Sequence, residues 1–148
     1  MAGLKATAQT AEITTGTALK TILQLVAAAN HRVVVKEISI SFKGTLNTAA
    51  PILVQVARQT DAGTMSALTP KKMNESDQET LQTTAQDTAT VEPTLTDDVI
   101  SEEVHPQGGY TWQAPFGGEI IIEGGNRLAI LTTAIAAVNC VARIVFEE

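Results

Sequence analysis

Aromatic residues are scarce in this chain: three phenylalanines, one tyrosine and one tryptophan make up 3% of its 148 residues. A core with so few aromatics has to be built from Ile, Val, Leu and Ala, side chains that suit the narrow space between two packed sheets. The same scarcity leaves little with which to line a sugar-cleaving cleft around a carboxylate pair. Cysteine occurs once, at Cys140, so no internal disulfide can form. Cys140 shares a strand face with Val138, Ala142 and Ile144 and reads as a small buried hydrophobe. Positive charge is also sparse, with ten Lys and Arg against sixteen Asp and Glu, a net charge of −6. The ten cations are scattered and form no basic stripe, which argues against nucleic acid or an anionic membrane surface as partner. No apolar run is long enough to span a bilayer, and Met1 is not followed by the basic and apolar segments of a secretory leader.

Motifs that carry chemistry are missing as well. His31 and His105 fall in turn regions without Cys or carboxylate at ligand spacing, which argues against zinc. There is no Gly-x-Ser-x-Gly elbow to seed acyl transfer. Gly117-Gly118 and Gly124-Gly125 lack the following Lys-Ser/Thr of a phosphate loop and read as bends around a short strand. Glu75, Asp77 and Glu79, beside Asn74, place oxygens at alternate positions, but the glycine of an EF-hand loop is absent, so they read as a solvated acidic loop. Glu102-Glu103 and Glu147-Glu148 read as exposed strand ends. The sequence predicts no enzymatic activity, no metal and no cofactor.

What is present is a succession of β-branched runs cut by turns. Ile38, Ile40 and Phe42 alternate on one face, whereas Val33 and Val35 lie on the opposite phase, so the strand over 32–44 has to bend or bulge. Pro51 opens a strand with Ile52, Val54 and Val56 inward and Gln55, Ala57 and Gln59 outward. Residues 19–29 fit either a helical stripe or an alternating strand; β-branched Thr21 and Ile22 favour the strand, with Asn30-His31 as its turn. Residues 65–76 lose periodicity and read as an exposed loop, 80–91 as a weak strand, 93–98 as a turn and 99–105 as a short edge. Strands follow over 110–114, 119–123, 127–133 and 138–147. Eight or nine strands without a dependable helix predict an all-β, single-domain β-sandwich or jelly roll over residues 17–148. Residues 1–16, rich in Ala and Thr, read as an extended N-terminal arm or a first edge strand. Tyr110, Trp112 and Phe116 crowd into seven residues; two readings stand, a plug at one end of the sandwich or a contact anchor on its surface.

Several phrases of this sequence carry a resemblance. They are Asn30-His31-Arg32-Val33 through Phe42-Lys43-Gly44-Thr45, Pro51-Ile52-Leu53-Val54, Glu92-Pro93-Thr94, His105-Pro106-Gln107-Gly108-Gly109-Tyr110, Gly125-Asn126-Arg127-Leu128-Ala129-Ile130 and Ile144-Val145-Phe146-Glu147-Glu148. In strand layout and turn phrases they resemble the decoration, or cement, proteins of tailed-phage capsids, over most of the chain from about Ala18 onward. The resemblance implies a jelly-roll-like sandwich on the capsid exterior, bound to the major capsid protein as a homo-oligomer, with a trimer favoured. Such a protein needs a rigid body and contacts. The expected contact residues are Leu4, Ala6, Ala8 and Ile13 on the arm, which could add a strand to a neighbour, with Tyr110, Trp112 and Phe116 on the body. The competing reading is a head-fibre or host-attachment module that binds a cell-surface glycan through 65–79 or Tyr110–Phe116.

Overall fold

The computed structural model describes residues 3–45 and 50–148 and contains thirteen β-strands and no helix among them. The strands are β1 (Lys5–Gln9), β2 (Ile13–Thr14), β3 (Lys20–Val26), β4 (Val33–Lys43), β5 (Ile52–Gln59), β6 (Thr64–Leu68), β7 (Lys71–Lys72), β8 (Thr84–Val91), β9 (Leu95–Val104), β10 (Gly109–Gln113), β11 (Ile120–Ile122), β12 (Arg127–Thr133) and β13 (Asn139–Glu147). They form two antiparallel sheets, so the chain is an all-β sandwich. One sheet runs β10-β4-β13-β1-β7, with β11 continuing β10 along β4 and β2 continuing β1 along β13. The other runs β6-β8-β3-β12-β5-β9.

The aliphatic composition sets the core. Ile22, Leu23, Leu25, Ile38, Ile40, Val54, Val56, Leu128, Ile130, Ala142, Ile144 and Phe146 are all buried between the sheets in one cluster. The two phases of β4 meet through a bulge: Val145 faces Glu37 and Phe146 faces Val35, leaving Lys36 unpaired. That extra residue lets Val33, Val35, Ile38, Ile40 and Phe42 all point inward. Cys140 lies in the same core, and burial pushes its thiol up to about 12. At pH 8 roughly one thiol in ten thousand is then ionised. Iodoacetamide should therefore leave Cys140 unlabelled in the native protein and modify it fully in denaturant, as mass spectrometry would record; rapid native labelling would contradict its burial.

The N-terminal segment is not a free arm. β1 pairs with β13 along its whole length, from Lys5 opposite Glu147 to Gln9 opposite Arg143. Leu4, Ala6 and Ala8 are buried, and Thr10 and Thr15 accept the amides of Ala142 and Val138 at 3.0 and 3.1 Å through their hydroxyls. Its weak hydrophobic alternation is that of a strand whose inward residues are alanines, small enough to lie against the large inward residues of β13. The strand addition expected on a neighbour takes place within the chain's own sheet. Ile13, in β2 opposite Cys140, is half-buried against the same core.

Three further expectations are corrected. The loop expected over 65–76 is in part strand: residues 65–68 belong to β6, an edge strand on β8 without a buried face, and Lys71–Lys72 form β7. Residues 95–98 are not a turn but the start of β9, which runs ten residues along β5. Ala57 and Gln59 are not at the surface, because the connections from β5 to β6 and from β8 to β9 fold across the outer face of β3 and β12. Leu95 packs there on Ala57, Ala129 and Leu131. Beside it runs a chain of hydrogen bonds. Arg127 Nη1 donates to Gln24 Oε1 at 3.0 Å, Gln24 Nε2 to Gln59 Oε1 at 2.7 Å, Gln59 Nε2 to Thr21 Oγ1 at 2.9 Å, and Thr21 Oγ1 to Glu92 Oε2 at 2.6 Å. Gln24 and Thr21 are wholly buried, so each of these bonds spares a desolvated polar group of the kind that costs about 1–3 kcal/mol when orphaned. Gly63 makes the bend: its φ is +53°, and a Cβ there would stand 2.2 Å from the Val91 carbonyl oxygen.

Candidate interaction surface

The segment carrying Tyr110, Trp112 and Phe116 runs along the free edge of β4. In β10, Tyr110 lies opposite Ile40 and Trp112 opposite Ile38, so both rings share the inward face of β4 and pack on the core edge. The side of the sandwich closed by these rings is shared with β9 of the other sheet: burial raises the Tyr110 hydroxyl above its ordinary pKa, and the Glu102 charge adds to the effect. β10 then ends where the Ala114 amide donates to the Lys36 carbonyl, next to the bulge. A turn follows over Pro115–Gly118, closed by the Gly118 amide on the Pro115 carbonyl at 2.8 Å. Gly117 takes a φ of +78°, which suits glycine. The turn holds Phe116 completely in solvent, at 106% relative exposure. The aromatic trio is thus divided: two rings seal the core and one projects outward, so Phe116 plugs nothing.

The base of that projection is fixed. Lys36 reaches Glu119 at 3.5 Å and Glu147 at 3.9 Å, and Arg143 pairs with Glu37, which also accepts from Gln113 at 3.3 Å. These are partly exposed pairs that orient side chains more than they stabilise the fold. A bulky apolar side chain on a turn of proline and glycine, rising from a braced edge strand, has the form of an interface anchor.

Other features mark the surface away from this segment. Ile135, in the connection between β12 and β13, is 80% exposed, a second apolar projection, here among alanines. Edge strand β9 carries Asp97, Asp98, Glu102 and Glu103 along an exposed side, charges that discourage pairing with another copy of the same edge. Asp61 has its carboxyl lowered chiefly by the Thr94 hydrogen bond, with smaller help from the Gly63 amide and the charge of Arg127. Around the acidic loop, Asn74 donates to Asp77 at 2.8 Å and accepts from Ser76, which makes a self-satisfied turn. Among the described residues no group of three or more His, Cys, Asp or Glu is placed to hold a metal ion. His105 accepts the Gln107 amide at its Nδ1 and so builds the turn before β10. Comparison with protein-family models, curated proteins and solved structures gives no match for this chain.

Proposed function

We propose that this chain is a structural virion protein that decorates the outer surface of an icosahedral phage capsid, bound to the major capsid protein and assembled as a trimer. The observation that carries the reading is Phe116, a fully exposed ring on a hydrogen-bonded turn in a protein with almost no other aromatic side chains to spare. Apolar anchors of this kind dominate the energetics of protein–protein contacts. The class of partner is proposed from the resemblance of its strand layout and turn phrases to those of decoration proteins. The aliphatic sandwich that braces the turn suits a protein whose task is to hold position. Each contact can be weak, because several copies of one anchor on a closed oligomer add avidity. The glycan-binding alternative has less support, since Tyr110 and Trp112, which would have to stack on a sugar ring, are packed against the core edge.

Co-sedimentation with shells of the major capsid protein, expanded and unexpanded, tests this. Saturable binding to expanded shells at a fixed ratio is the expected result. Phe116→Ala should weaken that binding by about 30-fold, the effect of losing a hot-spot residue, with no change in melting temperature. Absence of binding to either shell would overturn the capsid reading. Full binding by the variant would remove Phe116 as its anchor.

A further inference from the structure

We infer that the outer face of the sheet β10-β4-β13-β1-β7 is the surface that lies against the shell of major capsid protein, with Phe116 at its rim. The inference rests on the capsid reading and names the face that serves it. The two outer faces of the sandwich differ. That of the other sheet is crossed by the chain's own connections, where Leu95 packs on Ala57, Ala129 and Leu131. Its edge strand β9 also carries the exposed acids Asp97, Asp98, Glu102 and Glu103. On the face proposed for docking, Ile38, Ile40 and Phe42 point inward, which turns Ser39 and Ser41 outward. Thr111 lies beside Ser39, and Val141 beside Ser41. Ser41 and Thr111 stand exposed, and Val34, Ile121, Val141 and Val145 are half-buried. Small hydroxyls and β-branched aliphatics thus make a flat surface that the described residues leave open.

Charge sets this face apart. Every ion pair among the described residues lies on it: Lys36 with Glu119 and Glu147, Lys43 with Glu12, and Arg143 with Glu37. Lys5 on β1 and Lys71 on β7 add two cations along one side. A chain of net charge −6 therefore presents a surface close to neutral here and carries its excess carboxylates elsewhere. Charges already matched within the chain can be covered without leaving one of them unpaired. The partner that fits is a flat, near-neutral protein surface; a basic one would be drawn to the acids of β9 instead. Size agrees. Five strands abreast, with an eleven-residue β4, span an area on the order of 800 Å². A standard protein–protein interface covers about that much of each partner. The anchor is continuous with the face. The turn bearing Phe116 leaves the sheet between β10 and β11, where the Ala114 amide donates to the Lys36 carbonyl. The ion pairs of Lys36 then tie that turn to β13.

The test is an acetylation footprint of the full chain, free and bound to expanded shells of the major capsid protein, read by mass spectrometry. Lys36 and Lys43 should become protected on the shell, while Lys20, in the other sheet, keeps its reactivity. Ser41→Arg and Thr111→Arg, each checked for an unchanged melting temperature, should weaken shell binding by at least about tenfold, because each puts an unpaired charge on the covered face. Ser101→Arg, on β9, should bind as the parent does. Affinity should change by less than about threefold between about 50 and 500 mM sodium chloride, since the contact is not led by charge. If the parent binds but Lys36 and Lys43 stay reactive, or both arginine variants bind fully, the face is wrong and the capsid reading stands. A steep loss of binding with salt would also overturn the inference alone. Protection of both lysines in the free protein, at concentrations where sedimentation finds an oligomer, would assign the face to a second copy and overturn it too. A parent that binds no shell removes the capsid reading and this inference with it.

Discussion

Replacing Phe146 with alanine is expected to lower stability by about 3–5 kcal/mol, the range for emptying a large buried aromatic site. Phe146 is wholly buried in β13, with Ala6 opposite it on β1 and Val35 opposite on β4. Its neighbours cannot collapse easily into the space, because Ala6 is too short to fill it and Val35 is fixed next to the bulge at Lys36. A domain of this size holds only about 5–15 kcal/mol in all. The melting temperature should therefore fall by about 10 °C or more in calorimetry. Phe116→Ala, at a fully exposed site, serves as the control and should change stability by less than about 0.5 kcal/mol. Equal melting temperatures for Phe146→Ala and the parent would contradict the core assigned to β13.

Removal of residues 1–9 should be more damaging. An arm could be cut from a sandwich without harm, but here the cut removes β1, a strand paired on both sides, from between β13 and β7. It strips Arg143–Glu147 of β13 of their partner strand and unseats β7, whose Lys71 and Lys72 pair with Thr7 and Ala6. It also uncovers the core beneath Leu4, Ala6 and Ala8, with Leu4 alone contributing about 1.5–3 kcal/mol. The mutual hydrogen bonds between the backbones of Leu4 and Glu148, at 3.0 and 2.9 Å, are lost as well. The expected loss exceeds about 3 kcal/mol, and the truncated chain should show a broadened, early unfolding transition by circular dichroism and exposed β13 amides by hydrogen exchange. A truncated protein that melts with the parent would mean that β1 is dispensable. Adding back a peptide of residues 1–9 should restore part of the lost stability, which a nonspecific defect would not permit.

Much of the fold could be read from local pattern. The inward faces of β4, β5 and β13 follow from strict alternation, and the phase change between Val35 and Ile38 forecast the bulge that Lys36 supplies. Local pattern fails where the partner is far away in sequence. β1 looks weak because its inward residues are alanines, and only its place beside β13 makes them core. β6 and the start of β9 look like loop and turn because edge strands carry polar residues; their pairing with β8 and β5 is a matter of topology. On the surface, the sequence groups Phe116 with Tyr110 and Trp112, and only the register with Ile38 and Ile40 separates the ring that projects from the two that pack.

The placement of β12 and β13 has a consequence for how the chain is made. β12 lies between β3 and β5, and β13 between β4 and β1, so each sheet takes its middle strand from residues 127–147. Until that stretch has left the ribosome, β3, β5, β4 and β1 have no shared neighbour, and neither half of the sandwich can close. Before then the strands can pair only on their other sides, β3 with β8, β5 with β9, β4 with β10 and β1 with β7, and their central edges stay open, the situation in which nascent polypeptides aggregate or engage chaperones. Closure then depends on contacts between residues very distant in sequence, which makes folding slow for a domain of this length. Ribosome-bound chains halted before residue 127 should remain protease-sensitive throughout, and resistance should arise in a single step once β13 emerges.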